Sequence, residues 1–185
     1  MSKKIYLASK STRRKELLQL MGLDHEILLK EVDESFPETL ALTEVAEYIA
    51  QKKAHAFDLL PESIIITADT VVILGTEILG KPADRAEALI MLKKLSGKMH
   101  LVVTGVTIKS AEQTISFSDT TEVYFKAISD SEIEHYVDNY HPYDKAGAYG
   151  IQEWFGLVAI HKIVGSYTNV MGLPTEKLHE NLKLL

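Results

Sequence analysis

The chain has 185 residues, of which 46% are hydrophobic and 25% charged, and its formal net charge is -6. This size and composition are typical of one globular domain that buries its own core. The acidic balance argues against a sequence-independent binder of nucleic acid or anionic membranes, because such proteins carry a basic surplus. The chain has no cysteine, which excludes disulfides, thiolate metal sites and cysteine nucleophiles.

The pattern at the start of the chain predicts a cytoplasmic protein. A basic beginning is followed only by the short apolar run 5–8, which is too short for the apolar region of a signal peptide. No stretch approaches the roughly 20 apolar residues that a membrane span needs. We therefore expect no membrane partner.

The first half of the chain shows strands alternating with helices. The pattern predicts strands over 5–8, 25–29, 63–68 and 70–74, a helix that begins near Thr12 and stops at Gly22, and a helix over 43–59. Later segments predict a turn and strand over 75–80, a helix over 84–95, strands over 101–108 and 114–126, a helix opened by a capping box at 129–132, a strand over 157–163 and a helix over 174–185. Alternation followed by consecutive strands predicts an α/β fold with a mixed central sheet flanked by helices. No linker or repeat divides the chain, so we expect residues 1–185 to form a single domain.

The first candidate site comes directly after the first strand. Ser9 and Ser11 stand before the helix, and Arg13 and Arg14 fall in its first turn. Arginine there opposes the helix dipole, and it is the residue that binds phosphate through two parallel hydrogen bonds. The alternative is an ordinary N-cap followed by solvated cations.

Carboxylates occur in two further candidate sites. Glu31, Asp33 and Glu34 come after the second strand and suit a hard cation such as Mg²⁺, although exposed acidic turns are common. Asp69 comes after the most apolar strand, where α/β folds place their ligands, but it would equally cap a turn.

The segment 75–82 has the glycine and lysine spacing of a phosphate-binding P-loop. Pro82 stands where that loop needs Ser or Thr, and proline supplies neither a hydroxyl for Mg²⁺ nor an N–H for phosphate. The segment therefore predicts a hairpin rather than a P-loop, while Lys81 stays a candidate for phosphate contact.

Two glycine-rich loops complete the candidates. In 144–152, small residues allow close approach to the backbone, and Lys145 and Gln152 flank them. The Gln152 amide both donates and accepts, so it could pair with a base edge, whereas the alternative is a simple glycine turn. Hydroxyl and amide groups in 165–174 would bond substrate or one another, and Trp154 would stack on a base or pack in the core.

Taken together, these motifs resemble the Maf-family nucleoside triphosphate pyrophosphatases over essentially the whole chain. The residues that carry the resemblance are Leu7-Ala8-Ser9-x-Ser11-x-Arg13-Arg14-x-Glu16-Leu17-Leu18, Ala68-Asp69-Thr70, Gly80-Lys81-Pro82, the segment 144–152 and Gly172-Leu173-Pro174. One departure is Thr12, where the family usually has proline; either residue suits the start of a helix. The resemblance implies a fold similar to the inosine triphosphate pyrophosphatases, a homodimer, and metal-dependent hydrolysis of a nucleoside triphosphate to its monophosphate and pyrophosphate.

The resemblance also implies roles for individual residues. Asp69 matches the proton acceptor, and phosphate-side positions match Ser9, Arg13, Arg14, Lys53 and Lys81. Asp33 or Glu34 matches an acidic position, and the combination of Arg13, Thr70 and Gln152 resembles the branch that prefers dTTP and UTP. We therefore expect Asp69, Lys53 and Lys81 to be catalytic, Ser9, Arg13, Arg14, Thr70, Lys145 and Gln152 to bind substrate, and Asp33, Glu34 and Asp69 to hold Mg²⁺ or Mn²⁺.

In the expected reaction, water attacks the α-phosphorus in line and pyrophosphate leaves. Asp69 would be either the base or a metal ligand, and the sequence does not decide between them. The main alternative from another class is a nucleotide-binding regulator of cell division, since the family is linked to septum formation. Such a regulator would bind nucleotide without releasing pyrophosphate.

Overall fold

The computed structural model describes residues 3–58 and 61–185. The strands are β1 (Lys4–Leu7), β2 (His25–Ile27), β3 (Ser63–Leu74), β4 (Glu77–Leu79), β5 (Met99–Ser110), β6 (Thr114–Phe125) and β7 (Ile160–Val164). The α-helices are α1 (Thr12–Leu20), α2 (Val45–His55), α3 (Arg85–Leu95), α4 (Asp130–Tyr140), α5 (Trp154–Ala159), α6 (Tyr167–Met171) and α7 (Thr175–Leu182). Short 3-10 turns cover Leu42–Glu44, Pro142–Asp144 and Ala146–Ala148.

The strands form one mixed sheet with the order β2-β1-β3-β5-β6-β7, and β4 pairs with β3. Strand β1 runs parallel to both β2 and β3, whereas β4 is antiparallel to β3 and β7 is antiparallel to β6. The predicted α/β fold with a mixed sheet and flanking helices is therefore confirmed. Nowhere in the described ranges is there a helix long and apolar enough to cross a membrane.

The chain divides into two compact units. Unit 1 comprises 1–70, 104–119 and 172–185, and unit 2 comprises 71–103 and 120–171. In unit 1 the buried apolar side chains lie mainly on α1, α2, β3 and β5. In unit 2 a core cluster joins α3 and α4 to aromatic side chains that include Phe125, Tyr149 and Phe155. The single domain over 1–185 stays a prediction.

Helix starts agree with the caps seen in the sequence. The Ser11 side chain accepts from Arg14 N, and Asp84 accepts from Glu87 N. At α4, Ser129 and Glu132 form both halves of the capping box. These bonds satisfy N–H groups that have no partner within the helix.

One predicted strand is wrong at its beginning. Residues 157–159, predicted as the start of a strand, belong to helix α5, and β7 starts only at Ile160. Leu157 N donates to the carbonyl of Glu153, which closes a helical turn, and Phe155 is fully buried. A short helix of apolar residues cannot be told from a strand by its pattern, because both faces of either element can be buried. Helix α6 lies within a segment predicted as a loop, because its five residues include Thr and Asn and are too few to show a helical pattern.

The backbone of helix α2 lies directly against the backbone of β5 at Gly105, within unit 1. A Cβ atom built on Gly105 would lie 2.2 Å from Glu47 N and 2.4 Å from Ala46 C. On the neighbouring strand, Thr67 Oγ1 donates to the carbonyl of Ala50 at 2.7 Å. These contacts fix the helix that carries Lys53, so residue 105 has no room for a side chain.

We expect Gly105→Ala to lower the free energy of unfolding by about 1–3 kcal/mol, because the added methyl group would overlap the backbone of α2. Urea unfolding followed by circular dichroism measures the change. The matched control is Gly80→Ala, since a Cβ there meets no atom within 4 Å and should change stability by less than about 1 kcal/mol. Equal midpoints for both variants would contradict the close approach of α2.

Candidate active site

Strands β1 and β3 lie side by side in unit 1, and the Arg14 guanidinium links the residues just beyond their paired segment. The parallel register pairs Leu7 with Ile66, and Ser9 and Ala68 each follow two residues later along their chains. Arg14 Nη1 donates to Ser9 Oγ at 3.2 Å and to the Ala68 carbonyl at 2.9 Å. Its Nη2 donates to Thr70 Oγ1 at 2.9 Å and its Nε to the Gly172 carbonyl at 2.7 Å. The guanidinium therefore makes four hydrogen bonds to neutral acceptors of the protein itself.

The hydrogen bonds continue beyond Arg14. Thr70 Oγ1 lies 2.9 Å from Thr104 Oγ1, which is fully buried on β5. Burial lowers the pKa of Arg14, and the negative charge of Asp69 partly offsets this effect. Ser9 Oγ also accepts from Ser11 N at 3.2 Å. The N-cap at Ser11 is thus confirmed, but Arg14 is not the solvated cation of that alternative, since it bonds to four acceptors of the protein. Phosphate binding by Ser9, Arg13 and Arg14 stays a prediction.

Lys53, on the last turn of α2, lies between two carboxylates. Its Nζ is 2.8 Å from Asp69 Oδ1 and 2.9 Å from Glu34 Oε1. The Lys53 and Asp69 side chains are each only 16% exposed, whereas Glu34 is 57% exposed. The structure thus brings together three of the predicted catalytic and metal-binding residues, from the loop after β2, from α2 and from β3.

Asp33 has different partners from its neighbour Glu34. Its carboxylate accepts from the Ser35 hydroxyl, from Ser35 N at 3.0 Å and from Lys52 Nζ at 3.1 Å. The bond from the Ser35 hydroxyl, followed by those from Ser35 N and Lys52, lowers the pKa of Asp33 to about 2. Asp33 therefore stays ionised in ordinary buffers and pairs with Ser35 and Lys52 instead of Lys53.

Within residues 3–58 and 61–185, no group of three or more His, Asp or Glu side chains is arranged to hold a metal ion. Glu34 and Asp69 share the Lys53 ammonium, while Asp33 contacts Lys52 and Ser35. Metal binding by Asp33, Glu34 and Asp69 stays a prediction.

In unit 2, the glycine-rich segment 144–152 holds a buried lysine. The Lys145 side chain is 9% exposed, and its Nζ lies 2.6 Å from Asp144 Oδ1 and 3.1 Å from Glu153 Oε1. Asp144 is 65% exposed and Glu153 23% exposed. Glu153 is therefore the more shielded of the two partners.

The backbone of this segment is strained between two anchors. Gly147 has φ 69° and Ala148, which carries a side chain, has φ 60°. A residue with a Cβ in this left-handed region costs roughly 1–2 kcal/mol, so surrounding contacts must hold it. Gly147 N donates to the Gly80 carbonyl at 3.0 Å. On the other side, the Tyr149 hydroxyl lies 2.8 Å from His100 Nε2, and burial lowers the pKa of His100 to about 3, so its ring is neutral.

Two predicted site residues of unit 2 are exposed. Lys81 comes after β4, which pairs with β3 as a hairpin, so the interpretation of 75–82 as a hairpin rather than a P-loop is confirmed. Gln152 is exposed just before α5. Catalysis by Lys81 and substrate binding by Lys145 and Gln152 stay predictions.

In the second glycine-rich loop, residues 165–171 belong to unit 2 and bond to one another and to strands of that unit, whereas Gly172 belongs to unit 1 and its carbonyl accepts from Arg14. Ser166 Oγ lies 3.0 Å from Thr168 Oγ1, and the buried Asn169 donates to the Val102 carbonyl at 3.0 Å and to Thr121 Oγ1 at 2.9 Å. Trp154 packs near Tyr136, with ring centroids 6.4 Å apart. Of the alternatives open in the sequence, these contacts favour internal bonding for residues 166–169 and packing for the tryptophan.

Sequence reasoning missed three residues with contacts at these sites: Thr104, Tyr136 and Glu153. Thr104 gave no signal, because a threonine in an apolar strand is ordinary strand sequence. Glu153 stands next to Gln152, so its place at the end of the motif could have drawn notice. Tyr136 gave no signal either, because an aromatic residue in a helix is ordinary core sequence.

Comparisons with known proteins agree with the resemblance. Residues 4–185 match the family described as Maf-like protein. A Flavobacterium psychrophilum protein named dTTP/UTP pyrophosphatase is 51% identical over 178 residues, which cover 95% of this chain and 91% of that protein. A Bacteroides fragilis (strain YCH46) protein of the same name is 49% identical over 185 residues, covering 98% and 96%. In fold, the chain is similar to a HAM1 protein from Coxiella burnetii, with a TM-score of 0.52, 15% identity and coverage of 98% of this chain and 99% of that one. This chain belongs to the Maf family.

Proposed function

We propose that this protein is a nucleoside triphosphate pyrophosphatase that hydrolyses dTTP and UTP to the monophosphate and pyrophosphate. Relatives at about 50% identity over nearly the whole chain carry the name dTTP/UTP pyrophosphatase. The observation that carries the proposal in the structure is the Lys53 ammonium held by Asp69 and Glu34. This half-buried cluster contains a cation that can bind phosphate, Lys53, and a carboxylate that can accept a proton, Asp69.

The oxygen donors of this cluster fit a hard divalent cation in their chemistry. Glu34 and Asp69 already share one cation, the Lys53 ammonium, and carboxylate oxygens are what Mg²⁺ and Mn²⁺ bind. Glu34 and Asp69 would hold the metal, with Asp33 next to Glu34 in sequence. When bound, the metal would supply positive charge to the phosphate oxygens as a Lewis acid.

The chain's own residues neutralise the substrate and move the proton. Ser9, Arg13, Arg14, Lys53 and Lys81 are proposed to bind the triphosphate. Arg14 already makes four internal hydrogen bonds, but all four acceptors are neutral, so its positive charge persists for the phosphates.

The proposed reaction begins with a water molecule in line with the α-phosphorus. Asp69 accepts a proton from this water as its oxygen bonds to phosphorus. The bond from the α-phosphorus to the bridging oxygen breaks, and pyrophosphate leaves with the electron pair. Asp69 stands in the proposal both as proton acceptor and as metal ligand, because either role needs its ionised carboxylate.

Base recognition is proposed for Thr70, Lys145 and Gln152, together with Arg13. The Gln152 amide both donates and accepts, so it can pair with the O4 and N3–H edge of uracil or thymine. A homodimer, a cytoplasmic location and the absence of nucleic-acid or membrane partners belong to the same proposal.

The proposed function predicts metal-dependent pyrophosphate release. A panel of canonical and modified nucleoside triphosphates is incubated with the protein and Mg²⁺, Mn²⁺ or a chelator, and pyrophosphate and monophosphate are measured. We expect release from dTTP and UTP that the chelator abolishes. Nucleotide binding without any release would contradict the proposal and favour the regulator of cell division.

We expect Asp69→Asn to lower kcat by at least ~10²-fold, because the amide keeps the shape but neither takes a proton nor carries the charge that binds a metal. The matched control is Asp119→Asn. Asp119 is also 16% exposed and lies 2.7 Å from the Lys177 ammonium, so this change removes an equivalent ion pair elsewhere in unit 1. Loss of activity in both variants, or in neither, would remove Asp69 from the mechanism.

We expect Gln152→Glu to reduce kcat/KM for dTTP and UTP about tenfold more than for other triphosphates, because a carboxylate cannot donate to the base. The factor corresponds to about 1.4 kcal/mol, the scale of one hydrogen bond. Gln113→Glu adds the same charge at an exposed turn and serves as the control. A uniform loss across all bases would show simple repulsion of the triphosphate and refute base recognition.

A further inference from the structure

Segment 145–152, which carries the candidates Lys145 and Gln152, is held by a carboxylate that has no role in the proposed chemistry. Glu153 Oε2 accepts from the Tyr136 hydroxyl, and Glu153 Oε1 lies 3.1 Å from Lys145 Nζ. The same Tyr136 oxygen accepts from Gly150 N at 3.1 Å. One carboxylate and one phenol therefore bond to the segment near both of its ends.

The pairing of Lys145 makes Glu153 hard to replace. A buried ammonium must be paired, because desolvation of an unpaired charge is costly. The second partner, Asp144, is 65% exposed, so water screens its attraction for the ammonium. Glu153 is 23% exposed, and its attraction is screened less.

The Glu153 carboxyl group packs against the backbone of the segment. A Cβ atom on Gly150 would lie 2.8 Å from Glu153 Cδ, so the carboxyl group lies directly against the backbone of the segment. Tyr136 is fully buried on α4, which fixes its hydroxyl. Ala148, at φ 60°, lies between these anchored points, and a strained residue persists only where its surroundings determine it.

We propose that Glu153 is a positioning residue: through Tyr136, Gly150 and Lys145 it holds segment 145–152 in the conformation that recognises the base. The inference rests on the proposed function, since it names the residue that sets up base recognition in that reaction. Glu153 acts through Lys145 and Gln152 and does not itself contact the substrate.

The test uses Glu153→Gln in the full chain. The glutamine carbonyl can still accept from Tyr136, but the charge that pairs with Lys145 is lost. We expect KM for dTTP and UTP to rise about tenfold and the preference for these bases to fall, while kcat changes less than about threefold. A purely structural role would lower the urea midpoint and leave KM and base preference unchanged, and this result would overturn the proposal.

Glu122→Gln is the matched control. Glu122 Oε2 accepts from the Tyr124 hydroxyl at 2.6 Å, so it forms the same kind of pair in unit 2 outside the segment. We expect wild-type KM and base preference in this variant. Similar losses at residues 122 and 153 would overturn the assignment.

Tyr136→Phe is a second variant, which tests the same network if the Glu153 variant fails to fold. It keeps the ring in the core and removes the hydroxyl that contacts both Glu153 and Gly150. We expect it to raise KM in the same way, and the double variant to be no worse than about the larger single loss, because both changes break one network. If the KM change in the double variant equals the product of the two single changes, the residues act independently, and this result would overturn the proposed network.

The fluorescence of Trp154 tests the role of Glu153 without requiring that the protein be active. Trp154 is the single tryptophan of the chain and adjoins Glu153. We expect Glu153→Gln to increase quenching of Trp154 by acrylamide, with Glu122→Gln unchanged. If the wild type releases no pyrophosphate, the proposed function fails while this measurement still decides whether Glu153 holds the segment; unchanged quenching overturns it.

Discussion

The guanidinium of Arg14 links β1 to β3 where their paired segment ends, and the candidate chemistry of unit 1 depends on it. Its four acceptors belong to parts of the chain far apart in sequence, namely Ser9, Ala68, Thr70 and Gly172. Planar geometry with rigid N–H directions makes arginine suited to this task, and lysine could not replace it. Because all four acceptors are neutral, the bonds fix the backbone around Asp69 without cancelling the positive charge.

Lys53 differs from Arg14 in that its partners are charged. Two carboxylates already neutralise its ammonium, and both the lysine and Asp69 are mostly shielded from water. The cluster around Lys53 therefore holds one positive and two negative side chains, and the charge of Asp69 also acts on Arg14. In the proposed function, a chain with a net charge of -6 binds a triphosphate through a few local cations and needs no basic surplus.

The fold was largely predictable because its signals are local. Apolar strands, the N-caps Ser11 and Asp84 and the capping box at Ser129 lie within a few residues of the element they define. The start of β7 was not predictable, since residues 157–159 form a short apolar run. Such a run occurs both in helices and in strands. At the site, the residue types were visible in sequence but not their partners. The pattern shows carboxylates at 33, 34 and 69, whereas only the structure shows that Asp33 pairs with Lys52 and Glu34 with Lys53.

The two groups of candidate residues are fixed by different physical means. Ser9 and Asp69 lie at or next to strands, so the register of the sheet sets their positions. Lys145 and Gln152 lie on a segment with a residue in the left-handed region, and regular hydrogen bonding does not set such a conformation. Instead, hydrogen bonds from other parts of unit 2 hold the segment. Gly80 bonds to Gly147 and His100 to Tyr149, and the Tyr136–Glu153 pair holds its last residues. Changes at α4 should therefore alter the segment that carries Gln152 while the strand residues around Asp69 keep their geometry. In the proposed function, base preference would then change separately from the chemistry at the phosphates.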